Sequence, residues 1–247
     1  MSALLEVRQV TKRYGGVIAN SKVSLSVREG QIVGLIGPNG SGKTTLFNSI
    51  AGTHPIDGGS IRFAGQEISR LRVADIARLG LIRTFQQTRI FRQMTCLENM
   101  LVSVPEGDAP LRRMMAAPAD DDHARADELL AFVGLASKRD LPAGSLSFGQ
   151  QKLLEFAMAL MNEPRMLLLD EPTAGINPTL INGLIDRLKR ARDRLGITLF
   201  VIEHNMRVVM NLAEHIYCLA HGELLADGPP QDVQNDPRVL AAYLGGH

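Results

Sequence analysis

The sequence predicts an α/β fold in which a parallel-sheet core follows an opening β portion and is interrupted by a helical insert. Three observations lead there. Ile32-Val-Gly-Leu-Ile36 is a strand-length apolar run that enters a glycine-rich loop and then a helical pattern, Lys43–Ile50. From about Ile90 to Leu160 the signals are mostly helical, and after Leu160 strand and helix patterns alternate again. Repeated strand–helix units favour a parallel sheet covered on both faces.

The composition agrees with an ordinary globular chain: 247 residues, 45% hydrophobic and 21% charged. Lys plus Arg number 27 against 26 Asp plus Glu, and aromatic residues make up 4% with no Trp. A balance this close to neutral gives no basis for broad electrostatic binding to nucleic acid, and so few aromatics give none for a base-stacking surface. Cys96 and Cys218 lie far apart, without CxxC or Cys/His spacing, and read as buried free thiols. Glu6 and Arg8 interrupt the N-terminus before any signal-peptide-like run, and no stretch approaches the roughly 18–20 apolar residues of a membrane span. The expectation is a soluble, cytoplasmic protein.

In order along the chain, Leu4–Val10 and Val23–Val27 read as strands, with turns at Gly15-Gly16 and Glu29-Gly30. Thr95-Cys-Leu-Glu98 is a capping box that opens a helix, and Ala124–Val133 is an amphipathic stretch. Between them, Pro105 to Asp122 has the composition of an exposed loop, with Asp120-Asp-Asp122 placed before a helix to serve its N-terminal dipole. Met166–Leu169 reads as a strand buried on both faces. A polar helix Pro178–Leu195, a strand Ile197–Ile202 and a helix Asn205–Ala213 come after it. The basic run Arg187–Arg194, with Asp186 and Asp193 among it, reads as a solvated helix face.

Three motifs carry chemistry. Gly37-Pro-Asn-Gly-Ser-Gly-Lys43-Thr44 matches GxxxxGK[ST] between a strand and a helix, the pattern of a phosphate-binding P-loop. Glycines let backbone N–H groups converge on phosphate oxygens at a helix N-terminus. Lys43 then reaches the β- and γ-phosphates, and the Thr44 hydroxyl is a Mg²⁺ ligand. Leu167-Leu-Leu-Asp170-Glu171 puts two carboxylates just past the carboxyl end of a buried strand, where open α/β sheets bind ligands. Asp170 suits a Mg²⁺ shell and Glu171 a general base acting on water. A kinase needs no such Glu, and the guanine-specific NKxD is missing, which favours ATP hydrolysis. Leu146-Ser-Phe-Gly-Gln150 supplies a second helix N-terminus suited to an anion, ahead of a helix Gln151–Met161, with capping-box spacing from Ser147 to Gln150. One nucleotide hardly needs both helix ends from one protomer, so two subunits pairing head to tail is the economical reading.

With these motifs in this order, the chain resembles the nucleotide-binding subunit of an ATP-binding-cassette (ABC) transporter from about Leu4 to Leu244. The resemblance implies a P-loop NTPase (RecA-like) core with an N-terminal antiparallel β portion and an inserted α-helical subdomain. Residues 1–247 would form one ABC ATPase domain, with 1–88 and 161–247 as core and 89–160 as the helical subdomain. It implies binding of ATP through Gly37, Pro38, Asn39, Gly40, Ser41, Gly42, Lys43, Thr44 and Thr45, and through Ser147, Gly149 and Gln150 of a second cassette. Tyr14 resembles the aromatic residue that stacks on adenine, and an ordinary strand-end Tyr is the alternative. Gln86 resembles the Gln that touches Mg²⁺ or the attacking water, with Gln87 beside it leaving the register open. Asp170 resembles the Mg²⁺ ligand, Glu171 the catalytic base and His204 the switch histidine at the γ-phosphate. Arg89, Ile90 and Phe91 would face a coupling helix of a membrane subunit or pack within the insert.

Phe148 stands where most signatures have a second Gly, Asn177 where Asp is usual, and Met158 where many members have Arg. An aromatic at 148, Gly175-Ile-Asn-Pro178, Thr84–Phe91, Glu203-His-Asn-Met206 and Ala242-Tyr-Leu-Gly245 resemble one branch, the importers of branched-chain and related hydrophobic amino acids. That branch implies permease subunits, a periplasmic solute-binding protein and a place on the inner face of the cell membrane. The ATPase subunit of a lipid or lipopolysaccharide exporter shares much of the pattern. A soluble cassette of DNA repair or translation usually carries tandem cassettes or a long coiled-coil insert, and this chain has neither.

Overall fold

The structure is a computed structural model that describes residues 3–84, 90–104 and 120–244. The chain divides into two compact units, one of residues 1–83, 165–172 and 188–247 and the other of residues 84–164 and 173–187.

The first unit holds two sheets. Strands β1 (Ala3–Tyr14), β2 (Val17–Arg28), β4 (Gly58–Phe63) and β5 (Gln66–Glu67) form an antiparallel sheet in the order β2-β1-β4-β5. Strands β3 (Ile32–Ile36), β6 (Leu81–Arg83), β7 (Met166–Asp170), β8 (Thr198–Ile202), β9 (His215–Ala220) and β10 (Glu223–Gly228) form the other, in the order β10-β9-β3-β8-β7-β6. All its pairings are parallel except β10 on β9. Every residue of β3, β7 and β8 is buried, as their unbroken apolar runs require of strands covered on both faces.

Helices α1 (Lys43–Ile50), α2 (Val73–Arg78), α7 (Met206–Leu212), α8 (Pro230–Asn235) and α9 (Pro237–Leu244) complete this unit. Phe47 of α1 and Phe200 of β8 are fully buried with ring centroids 4.9 Å apart, in an apolar cluster that also takes Val10 and Val23 from the antiparallel sheet. A second cluster joins Ile36, Val209, Ile216, Cys218, Val233 and Val239 beneath α7, α8 and α9. Both thiols are buried and free, and burial pushes the Cys218 thiol up to about 11.

The second unit contains α3 (Cys96–Val102), α4 (Asp120–Phe132), α5 (Phe148–Leu160) and the start of α6 (Pro178–Leu195), whose residues from Leu188 onward belong to the first unit. Thr95 caps α3 through the expected box, its hydroxyl accepting from the Glu98 N–H at 3.1 Å while Glu98 accepts from the Thr95 N–H at 2.7 Å. In α6 the apolar stripe Leu184, Leu188 and Ala191 is buried while Asp186, Arg190 and Arg194 are exposed, the solvated face expected of this helix.

Several boundaries differ from the sequence expectation. Asp120–Asp122 are not a loop before a helix but the first turn of α4, where the same dipole argument holds them; residues 105–119 lie outside the described residues. Helix α5 begins at Phe148 instead of Gln151, because Ser147 is its N-cap and the signature residues are its first turn. Strand β1 runs on to Tyr14 across register shifts at Gln9, whose φ is 50°, and that bulge breaks the period-2 pattern after Val10. Strands β4, β5, β6, β9 and β10 and helices α2, α8 and α9 have no counterpart in the sequence reading. Among the described residues no helix is long and apolar enough to cross a membrane.

Replacing Phe200 with Ala removes the ring that α1 packs on. The expected cost is about 3–5 kcal/mol of stability, read as a lower urea midpoint; an unchanged midpoint would contradict this account of the core.

Candidate active site

The glycine loop leaves the carboxyl end of β3 and turns into α1. Two of its glycines are required by geometry. At Gly37 φ is 146° and a Cβ would stand 2.0 Å from the Leu219 carbonyl oxygen; at Gly42 φ is 97° and a Cβ would stand 2.3 Å from the Ala19 carbonyl oxygen. Gly42 is also the N-cap of α1 and offers no side-chain bond, which leaves the first-turn N–H groups as donors for an outside acceptor.

Lys43 is buried, and its Nζ donates to the carbonyls of Gly37 (2.8 Å) and Pro38 (2.9 Å) and to Ser41 Oγ (3.3 Å). Desolvation lowers its pKa from the ordinary lysine value, while the charges of Glu171 and Asp170 act in the opposite direction. Lysine and carboxylates therefore share one electrostatic neighbourhood. Thr44 is exposed, and Thr45 is half-buried.

Asp170 closes β7 and is 2% exposed. Its Oδ2 accepts from Arg83 Nη2 at 2.7 Å, and Arg83 is held in turn by Asn48 on α1. Asp170 Oδ1 is buried with no hydrogen-bond partner among the described residues, so one lone-pair-bearing oxygen is held in place with nothing to bind. A hard cation beside the P-loop would satisfy it, and the oxygen-only donor set Asp170 and Thr44 matches Mg²⁺ chemistry.

Glu171 adopts a left-handed conformation, φ 50°, and its N–H donates to the Ile202 carbonyl at 2.9 Å. A non-glycine residue forced into this region is held there by its surroundings, and such residues cluster at functional sites. Its Oε1 lies 2.7 Å from His204 Nε2, a hydrogen-bonding distance at which the imidazole donates to the carboxylate when Nε2 carries the proton. The turn that carries His204 is braced by Glu203, 3% exposed, whose Oε2 accepts from the N–H groups of His204 (3.2 Å) and Asn205 (3.4 Å). Asn205 then caps α7 through the Arg207 N–H at 3.1 Å.

Tyr14 ends β1 and is 45% exposed; its hydroxyl lies 2.6 Å from His54 Nδ1, and Lys12 Nζ stands 5.2 Å from its ring centre. With Val17 and Ile18 exposed nearby on β2, this strand end presents an apolar and aromatic surface of the kind a purine stacks on.

Ser147, Gly149 and Gln150 belong to the second unit. The Ser147 N–H donates to Gln150 Oε1 at 3.0 Å and the Gln150 N–H to Ser147 Oγ at 3.4 Å, the reciprocal box expected from the spacing. Phe148 packs against Gly175, where a Cβ would meet the ring at 2.9 Å, so the aromatic departure at 148 matches a glycine in its own neighbourhood. Asn177 Oδ1 accepts from the Thr179 N–H at 3.1 Å, opening α6 as an Asp would. Gln86, Gln87 and Arg89 lie outside the described residues. The first unit thus gathers the P-loop, Asp170, Glu171 and His204 at the carboxyl ends of β3, β7 and β8. Arg83, Asn48 and His54 carry no local sequence signal, because their contacts join distant parts of the chain. Glu203 stands next to His204, and that adjacency is the signal by which it could be found.

Residues 20–174 match the ABC transporter family. The chain belongs to that family. A second match, to the branched-chain amino acid ATP-binding cassette transporter family, covers residues 223–247. The cassette is 41% identical, over 98% of both chains, to the high-affinity branched-chain amino acid transport ATP-binding protein BraF of Pseudomonas aeruginosa. It is 38% identical, over 98% of both, to LivG of Escherichia coli, of the same description. Among solved structures, the ADP conformation of an ABC transporter cassette superposes with a TM-score of 0.89 at 33% identity, covering 99% of this chain and 100% of that one. A dimeric post-hydrolysis cassette bound to ADP and Pi gives 0.76 at 26% identity, covering 92% of this chain and 98% of that one. The cassette is the ATP-binding and ATP-hydrolysing subunit of an ABC transporter.

Gly42→Ala places a methyl group into the Ala19 carbonyl. ATP affinity is expected to fall by about tenfold or more, measured by displacement of a fluorescent nucleotide; wild-type affinity would refute the steric reading.

Proposed function

We propose that the cassette energises uptake of branched-chain or related hydrophobic amino acids through separate permease subunits on the inner face of the cell membrane, with a periplasmic solute-binding protein delivering cargo. The cargo reading is supported by its relatives, of which BraF and LivG are named for branched-chain amino acid transport, and by the match at residues 223–247. Two cassettes, identical or not, would enclose two nucleotides, each between one P-loop and the Ser147–Gln150 turn of the other.

The observation that carries the reaction is the Glu171 carboxylate held 2.7 Å from His204 at the end of β7. Glu171 takes the proton of a water whose oxygen bonds to the γ-phosphorus as the bond to the β–γ bridging oxygen breaks, leaving ADP and phosphate. His204 fixes the carboxylate through its Nε2 proton and faces the γ-phosphate under attack. Lys43 and the α1 N–H groups hold the phosphates, and Tyr14 stacks on adenine. Thr44 and Asp170 would hold Mg²⁺, with Gln86 completing the set; when bound, the ion neutralises charge on the β- and γ-phosphate oxygens. Arg83 keeps Asp170 oriented with Oδ1 turned to that role.

Glu171→Gln should keep ATP binding while turnover falls by roughly 10²–10⁴-fold, measured as phosphate release; undiminished turnover would remove Glu171 from this role. The same variant, tagged and recovered from gently solubilised membranes of its source organism, is expected to bring two polytopic subunits, a second cassette and an amino-acid-binding protein, identified by mass. Recovery of lipid-export components, ribosomes or DNA-repair proteins would overturn the importer reading.

A further inference from the structure

The P-loop has an attachment that lies outside its own motif. The Gly37 N–H donates to the phenol oxygen of Tyr243 at 2.8 Å, across 206 positions of sequence. The Gly37 carbonyl accepts from Lys43 Nζ at 2.8 Å, so both polar backbone groups of the loop's first residue are tied, one to the C-terminal helix and one to the lysine that serves phosphate. The Leu219 carbonyl oxygen, 2.0 Å from where a Cβ would stand, closes the third side of Gly37.

Helix α9 is capped at its start and packed through Val239. At its start the Asp236 carboxylate accepts from the Arg238 N–H (2.8 Å) and from Arg238 Nη2 (2.6 Å), and the Arg238 guanidinium holds the Asp236 carboxyl down to about 2. In its first turn, Val239 is 2% exposed within the second apolar cluster. At its end Tyr243 is part-exposed, and desolvation raises its phenol pKa to about 12, which keeps the phenol neutral through the physiological range.

We infer that Tyr243 is a positioning residue for the phosphate-binding loop: its phenol oxygen holds the Gly37 N–H and fixes the pivot from which the loop and Lys43 meet the phosphates, so that the C-terminal helix sets nucleotide affinity. The inference rests on the P-loop being the nucleotide site. Tyr243 lies outside residues 20–174, the stretch matched to the ABC transporter family at large, and inside residues 223–247, the stretch matched to the branched-chain cassettes. The Gly37 N–H is a donor that only an acceptor at this place can satisfy. Phenylalanine keeps the ring and its packing while removing that oxygen.

The test compares Tyr243→Phe with wild type in ATP binding, by displacement of a fluorescent ATP analogue, and in steady-state hydrolysis. The expected result is ATP affinity weakened about fivefold and KM raised to match, with kcat within about twofold and nucleotide-free Tm within about 2 °C. A chain ended after Ala242 should show at least the same loss, and one ended after Leu244 should bind as wild type. Wild-type affinity in Tyr243→Phe overturns the inference. So does an equal loss in Leu240→Ala, a half-exposed position on the same helix, or a loss of affinity matched by a fall in nucleotide-free Tm, since either marks general undocking of α9. Lys43→Ala separates the two readings. If it binds ATP normally, the nucleotide-site reading fails; if it loses ATP while Tyr243→Phe keeps it, only the role of Tyr243 fails.

Discussion

The site depends on the parallel register of three strands. In the sheet, Ile202 of β8 lies level with Asp170 of β7 on one side and with Leu35 of β3 on the other. The three strands therefore end on one line, and the residues just past their ends emerge together: the loop beginning at Gly37, then Glu171, then His204. The N–H of Glu171 extends the ladder by bonding the Ile202 carbonyl, which locks the base to the same reference residue. A one-residue slip would turn every side chain of a strand to the opposite face, burying Glu171 where Asp170 now sits. Complete burial of β3, β7 and β8 makes such a slip costly, so the apolar runs that build the sheet also place the chemistry.

Charge is distributed unevenly along that line. Asp170 is buried and held at one oxygen by Arg83, while its other oxygen has no partner among the described residues. Glu171, one residue on, is less buried, carries the backbone strain and bonds a histidine. Adjacent carboxylates thus differ in environment, which is the usual means by which two similar groups take separate roles. Lys43, desolvated and folded onto its own loop, feels both carboxylates. The loop, the carboxylates and the lysine act as one electrostatic unit, and the bond from Tyr243 ties its first residue to the end of the chain.

Features written in local spacing are legible in the sequence. The P-loop, the paired carboxylates and both capping boxes are contiguous patterns, and each has the geometry its spacing implies. Features set by distant pairing are not. Arg83 meets Asp170 across 87 positions, and nothing near either residue marks the pair. Strands β9 and β10 are hard to read because one is almost wholly buried and the other alternates poorly, so neither shows a clean period of two. The bulges of the opening hairpin, with positive φ at Gln9 and Lys22, hide half of its length from any alternation test. The residues after Ser147 read as a turn, while their capping box makes them the start of α5.

The proposed nucleotide sandwich pairs one cassette's P-loop with another's Ser147–Gln150 turn. Asn39 and Ser147 are both exposed, and both native cysteines are buried, so each position accepts a reporter thiol on a quiet background. The direct measurement mixes a copy carrying Asn39→Cys with a copy carrying Ser147→Cys, both in the Glu171→Gln background, and oxidises them with and without MgATP. A disulfide-linked heterodimer that forms only with MgATP is the predicted result. Absence of that product, or its formation in equal yield without nucleotide, would contradict the shared site.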